Sequence, residues 1–98
     1  VGVTLGDFAY VCGGNRICPN VYIGDFSVLY AGSIVEEGVS IGRDCVIGSG
    51  TVLLPKIKIG NGSIVGGGSV VEEDIPPKVV AAGVPAKIIK INDTFSSD

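Results

Sequence analysis

From Leu5 to Pro76 the chain divides into twelve consecutive six-residue blocks with nothing left over. Each block opens on an aliphatic residue: Leu5, Val11, Ile17, Ile23, Leu29, Val35, Ile41, Ile47, Leu53, Ile59, Val65 and Val71. The fifth position is small or aliphatic in nearly every block. A fixed internal period settles the architecture before any other feature is considered.

A second period is laid over the first. Gly14, Gly32, Gly50 and Gly68 recur every eighteen residues as the fourth residue of a block. Val21, Val39, Ile57 and Ile75 recur at the same interval as fifth residues. The other fifth residues are mostly smaller: Ala9, Ser27, Cys45 and Ser63 in one column, Asn15, Ser33, Thr51 and Ser69 in the next. Three blocks therefore make one turn, and each of its three sides has its own chemistry. The reading is a three-sided parallel β-solenoid of about four coils. First and fifth residues point inward, and glycines ease corners where φ is positive. Adjacent coils pair as parallel strands about 4.8 Å apart, so four coils rise roughly 19 Å.

The divisions follow. Residues 1–76 form the repeat. Ile75-Pro76-Pro77 ends it, because two prolines cannot continue a parallel ladder. Residues 77–91 form a cap, with short strands at 79–82 and 87–91 flanking Gly83-Val84-Pro85 and folding back on the last coil. Residues 92–98 are a polar, frayed tail. The chain enters the repeat almost at once, and a solenoid end that begins so abruptly leaves an unpaired edge. Residues before Val1 are therefore expected in the native protein.

Ninety-eight residues suit one small domain. Charged residues make up 17 % of the chain, below a typical ~25 %. With a net charge of −3 there is no basic stripe for nucleic acid or an anionic membrane. No apolar run approaches the ~20 residues of a membrane span. Cys12, Cys18 and Cys45 have no metal-binding spacing, and Cys45 takes an inward position where a thiol packs as a small hydrophobe. Free thiols fit a reducing compartment, the cytoplasm.

Several polar residues have a plain structural reading. Asn15, in an inward slot, is expected to bridge neighbouring coils, since a buried amide must be hydrogen-bonded, with a substrate contact as the alternative. Tyr10, Tyr22 and Tyr30 near corners are expected to pack. Asp25, Arg43, Asp44 and Asn61 read as solvated turn residues. The pair Glu36-Glu37 returns as Glu72-Glu73, so it belongs to a repeat position and reads as a solvated corner rather than an acid–base pair.

The consensus aliphatic–Gly–x–x–small–x resembles that of the hexapeptide-repeat acyltransferases, and VVAAGVPAKII at residues 79–89 resembles their C-terminal signature. The resemblance implies a left-handed parallel β-helix, an exception to the usual right-handed crossover. Within that superfamily the run Ile17-Cys18-Pro19-Asn20-Val21-Tyr22-Ile23-Gly24-Asp25-Phe26 is similar to one in the acetyltransferases of bacterial amino-sugars and sialic acids. The resemblance implies a homotrimer with acetyl-CoA in the cleft between neighbouring prisms. It also implies a small-molecule acceptor, such as a nucleotide-linked sugar, and a histidine as general base. Pro19 stands where that histidine is expected and Val28 where a second histidine meets the thioester; the chain contains no His. Ser49 and Gly67 match positions whose backbone touches acetyl-CoA, and Lys87 is placed to meet a CoA phosphate as a point charge.

Three functions follow from these features. One is acetyl-CoA-dependent transfer to a sugar amine or hydroxyl. Another is a structural or regulatory trimer without a general base. The last is a serine-acetyltransferase-like enzyme, which VTLG at residues 3–6 and GGNR at 13–16 faintly resemble. A metal-dependent hydratase of this fold needs several His ligands, and an ice-binding face needs ranks of threonine. Trimerisation is expected because four coils enclose a small core.

Overall fold

The computed structural model describes residues 2–92. Among these, twelve two-residue strands follow one another at six-residue intervals: β1 (Thr4–Leu5), β2 (Tyr10–Val11), β3 (Arg16–Ile17), β4 (Tyr22–Ile23), β5 (Val28–Leu29), β6 (Ile34–Val35), β7 (Ser40–Ile41), β8 (Val46–Ile47), β9 (Val52–Leu53), β10 (Lys58–Ile59), β11 (Ile64–Val65) and β12 (Val70–Val71). Each joins the last residue of one block, facing out, to the first of the next, facing in. Alternation along a strand produces this division.

Every third strand pairs in parallel. Tyr22 lies opposite Ser40, Val28 opposite Val46 and Ile34 opposite Val52, always eighteen residues on. Three sheets result: face A from β1, β4, β7 and β10, face B from β2, β5, β8 and β11, and face C from β3, β6, β9 and β12. The solenoid is three-sided, as its period predicts.

The core is the column of first residues, with Ile23, Leu29, Val35, Ile41, Ile47, Leu53, Val65 and Val71 all buried. Fifth residues complete it in two chemistries. Val21, Val39 and Ile57 are buried apolar side chains, whereas Ser27, Ser33, Thr51, Ser63 and Ser69 are buried hydroxyls. Each hydroxyl bonds backbone that the sheets leave over. Ser27 Oγ donates to the Gly42 carbonyl at 2.6 Å and accepts from the Cys45 N–H at 3.0 Å. Ser63 Oγ does the same with the Pro76 carbonyl at 2.6 Å and the Val79 N–H at 3.2 Å. Among the described residues no buried side-chain N or O lacks a partner, as burial of polar groups requires. Asn15 bridges coils as expected, accepting from the Ser33 N–H at 2.8 Å and donating to the Cys12 carbonyl at 2.7 Å.

All three corners use a left-handed fourth residue. Gly14, Gly32, Gly50 and Gly68 do so between faces B and C, at φ of 69–76°. Asn20 (64°), Gly38 (75°) and Lys56 (66°) do so between C and A; Phe8 (58°), Phe26 (61°), Asp44 (56°) and Gly62 (74°) do so between A and B. A side chain in this region costs roughly 1–2 kcal/mol, a strain the coil ladder holds in place. Two turn residues do more than meet solvent. Asp25 Oδ1 accepts from the Asp7 N–H at 2.8 Å, and Asn61 Oδ1 from the Arg43 N–H at 3.0 Å. Packing was expected of Tyr10, Tyr22 and Tyr30, but all three are exposed, because the sixth and second block positions face outward.

The twelfth block departs from the sequence-derived partition. Ile75 bridges Ile59, sixteen residues back, and does not fall in register with Ile57. The coil is two residues short. Asp74 fills the gap, its Oδ1 accepting from the Lys58 N–H at 2.9 Å where a carbonyl serves the other coils. The shortened register continues into β13 (Val79–Gly83), which pairs in parallel with β11, Ile64 opposite Val80. The chain then reverses through Val84 and Pro85 into β14 (Ala86–Ile91), antiparallel to β13 at the edge of face B. Asn92 is buried, donating through Nδ2 to the Gly62 carbonyl at 2.8 Å and through its N–H to the Lys78 carbonyl at 2.9 Å. It anchors the hairpin, whereas the sequence places it in a frayed tail. The rest of that tail, 93–98, lies outside the described residues.

The close stacking of coils makes one substitution decisive. A Cβ on Gly24 would sit 2.6 Å from the Gly42 carbonyl carbon, and one on Gly13 would meet nothing within 4 Å. Gly24→Ala is expected to lower stability by about 1–3 kcal/mol, as overpacking does, and Gly13→Ala to change it by no more than about 0.5 kcal/mol. Chemical denaturation of the two variants side by side checks the contrast.

Candidate functional site

The corner between faces B and C is the barest part of the molecule. Its third and fourth residues, coil by coil, are Gly13-Gly14, Ala31-Gly32, Ser49-Gly50 and Gly67-Gly68, all exposed. Positive φ alone does not demand glycine four times, because asparagine, aspartate, lysine and phenylalanine hold the same conformation at the other corners. What glycine adds here is backbone open to a molecule lying along the corner.

Three of the four sequence-derived binding residues gather there. Gly68 N–H donates to the Ser49 carbonyl at 2.9 Å, which stacks the two turns directly. A Cβ on Gly67 would lie 3.1 Å from that carbonyl. Lys87 pairs with Ala82 across the hairpin, and Ala82 Cβ lies 3.0 Å from the Cβ position of Gly66. The hairpin therefore brings an exposed ammonium to the end of the bare corner. Val28 stands one step away, half-buried and outward on β5.

Pro19 is not among them. It occupies the corner between faces C and A, across face C from Ser49 and Gly67, with its carbonyl accepting from the Gly38 N–H at 3.2 Å. Within the chain the expected base position and the expected thioester position do not meet.

The surfaces beside the bare corner are mostly apolar. Outward residues are Tyr10, Val28, Val46 and Ile64 on face B, continued by Val80, and Arg16, Ile34, Val52 and Val70 on face C, where Arg16 is the charged exception at the first coil. Face A carries Thr4, Tyr22, Ser40 and Lys58 instead. Below Tyr22 on that face lies a groove of about 580 Å³ that the sequence did not announce, lined by Ser40, Lys58, Asn61 and Asp74 among others. Among the described residues no cluster of three His, Cys, Asp or Glu is placed to hold a metal, and no helix is long and apolar enough to cross a membrane.

Cys45 is the one buried thiol among the described residues. Its Sγ donates to the Gly60 carbonyl at 3.1 Å. Burial pushes its pKa up, partly offset by hydrogen bonds around Ser63, Gly62, Ser27 and Gly42. A thiol held neutral is no nucleophile. Because the folded pKa is raised, its contribution to stability is complete below the unfolded pKa and is lost as pH rises through the folded value. Iodoacetamide is expected to alkylate Cys12 and Cys18 in the native protein and Cys45 only after unfolding, read by peptide mass spectrometry.

Solved structures resemble the whole prism. Serine acetyltransferase from Brucella abortus strain S19 in complex with coenzyme A is 27 % identical with a TM-score of 0.86, covering 92 % of this chain and 40 % of its own. Serine acetyltransferase from Neisseria gonorrhoeae is 28 % identical with a TM-score of 0.85, covering 93 % and 40 %. The polySia-specific acetyltransferase NeuO is 26 % identical with a TM-score of 0.86, covering 92 % and 52 %. The chain thus spans between two fifths and about half of these enzymes. No curated protein matches it. The model of bacterial transferase hexapeptide repeats (six repeats) matches residues 21–55 and 38–73, more than half of the sequence, and the chain belongs to that family.

Proposed function

We propose that the chain is the acetyl-CoA-binding β-helix of an acetyltransferase that acylates a sugar amine or hydroxyl, working as a cytoplasmic homotrimer. The observation that carries this reading is the all-glycine corner. At Gly14, Gly32, Gly50 and Gly68 the backbone is open although other residues satisfy the same φ elsewhere. The Gly50 and Gly68 N–H groups are used between coils, on the Ala31 and Ser49 carbonyls at 3.1 and 2.9 Å, so the bare corner offers a pantetheine arm close approach to the backbone and the polar groups that this ladder leaves over. Ser49 and Gly67 line its path, Val28 flanks it, and the Lys87 ammonium stands at the end where a CoA phosphate would lie.

The apolar outward residues of faces B and C support the trimer. Contiguous apolar surface of this kind marks an interface, and two such faces meeting at one corner suit a prism with neighbours on both sides. The groove along that corner then lies between protomers. A second protomer also offers the only way for a residue at the Pro19 corner to reach a thioester held at the Ser49 corner.

Two other readings each have an observation in their favour. The chain contains no His, and a base with a pKa near the working pH is the usual means of deprotonating an acceptor; this favours a trimer that binds without catalysing. Serine acetyltransferases recur among the similar structures, which favours serine as acceptor.

Calorimetric titration of acetyl-CoA, with mass by light scattering, tests the proposal. Saturable binding by a trimer, weakened about tenfold or more by Gly67→Trp, is expected, since that side chain fills the groove. A folded trimer that binds no acetyl-CoA would sink the cofactor assignment and leave the structural reading.

A further inference from the structure

We propose that the groove on face A binds a small hydroxylated anion, a sugar acid or sugar phosphate. This site is separate from the bare corner and stands whether or not the transferase reading does. The groove lies where the repeat breaks. Because the twelfth block is two residues short, Ile75 bridges Ile59 early and the Asp74 carboxylate, not a carbonyl, meets the Lys58 N–H at 2.9 Å. A regular coil would place another outward strand residue over this spot. The break leaves a recess of about 580 Å³, within the range of small-molecule sites.

Its lining has a consistent chemistry. Tyr22, Ser40 and Lys58 are in register on successive strands of face A, each one coil from the next. They present a phenol, a hydroxyl and an ammonium in a rank spanning two coil spacings, about 9.6 Å. Lys58 makes no salt bridge among the described residues. Asn61 is fixed by its Oδ1, which accepts from the Arg43 N–H at 3.0 Å, so its amide donor is held in place with no acceptor among the described residues. Asp74 is fixed by Oδ1 and keeps Oδ2 as an acceptor.

A ligand matching this set carries one anionic group for Lys58 and hydroxyls for Ser40, Asn61 and Asp74. It also carries a ring whose C–H face lies on Tyr22. The Asp74 carboxylate repels a second anionic group, which limits the ligand to a single charged substituent. Neutral glycosides lack the Lys58 contact, and simple inorganic anions lack the rest. Face A is also the one face without an apolar outward column, so the groove stays in water when faces B and C are covered.

Amide chemical-shift titrations with D-glucuronate, D-glucose 6-phosphate, methyl glucoside and inorganic phosphate test the proposal. Saturable shifts at Ser40, Lys58 and Asn61 with the glucuronate or the sugar phosphate are expected, and the stronger of the two identifies the class. Lys58→Gln, an exposed change checked for folding by its thermal melt, should weaken binding about tenfold, as loss of a charge-assisted hydrogen bond does. Tyr22→Ala should weaken it too. The proposal is overturned if neither anion saturates, if Lys58→Gln binds as the parent does, or if inorganic phosphate gives the same shifts at the same concentration.

Discussion

Each coil hands its backbone N–H groups to the carbonyls of the next, and the rest of the molecule depends on that ladder. Tyr22 N–H reaches the Val39 carbonyl at 2.9 Å, Val28 that of Cys45 at 2.8 Å and Ile34 that of Thr51 at 2.8 Å, one on each face. Three faces share one pitch, so no face can slip without breaking the other two. A one-residue slip would also turn every Ile and Val of the core outward. The strands are two residues long and have no independent stability; only stacking holds them. The same stacking fixes Phe8 and Phe26 at positive φ and brings their rings to 5.4 Å, 13° from parallel. It also explains why the coil beyond Val71 can lose two residues. Asp74 supplies an acceptor at the place a carbonyl vacates, and the ladder resumes at Ile75, which donates to the Lys58 carbonyl at 2.9 Å and accepts from the Gly60 N–H at 2.8 Å.

Much of this was legible in the residues. A six-residue aliphatic period has few other solutions, and the eighteen-residue glycine column assigned three blocks to a turn. Buried hydroxyls in the fifth column were legible as inward residues, though not by partner. The shortened block was hidden for a physical reason. Ile75 points inward whether it is the fifth residue of a full block or the first after a short one, so the apolar pattern is the same in both. The left-handed conformation of every corner was equally hidden, because Phe26, Asp44 and Lys56 carry no mark of it. Only at the bare corner does composition coincide with conformation.

The candidate site was legible to different depths. Ser49, Gly67 and Lys87 were named from the resemblance, and the fold brings them to one corner through the Gly68–Ser49 bond and the hairpin pairing. Pro19 was named from the same resemblance, yet topology sets it across face C. A motif read along the chain does not say which of its residues the coils bring to one corner of the prism. The face A groove had no sequence signal at all. Tyr22, Ser40 and Lys58 share a column but are three different residue types, so the repeat does not mark them as a set, and the recess beside them comes from a deletion the pattern conceals.

Within the transferase proposal, the two acceptor chemistries make unequal demands on such a site. Backbone at an open corner can hold a pantetheine arm and orient a thioester, and a positioned thioester already removes much of the entropic barrier. It cannot take a proton. A hydroxyl must lose its proton as it attacks, which requires a base in the transition state. A neutral amine attacks with its lone pair and releases its proton only after the tetrahedral adduct forms, when water suffices. The set Ser49, Gly67 and Lys87 supplies positioning and charge without a proton acceptor, and so fits an amino-sugar better than a hydroxyl acceptor. The pH–rate profile separates the two. Amine transfer should rise with pH until the acceptor's own ammonium is titrated and then level off. A bell centred on an enzyme group would instead require a base contributed from outside these residues and would remove the preference for an amine.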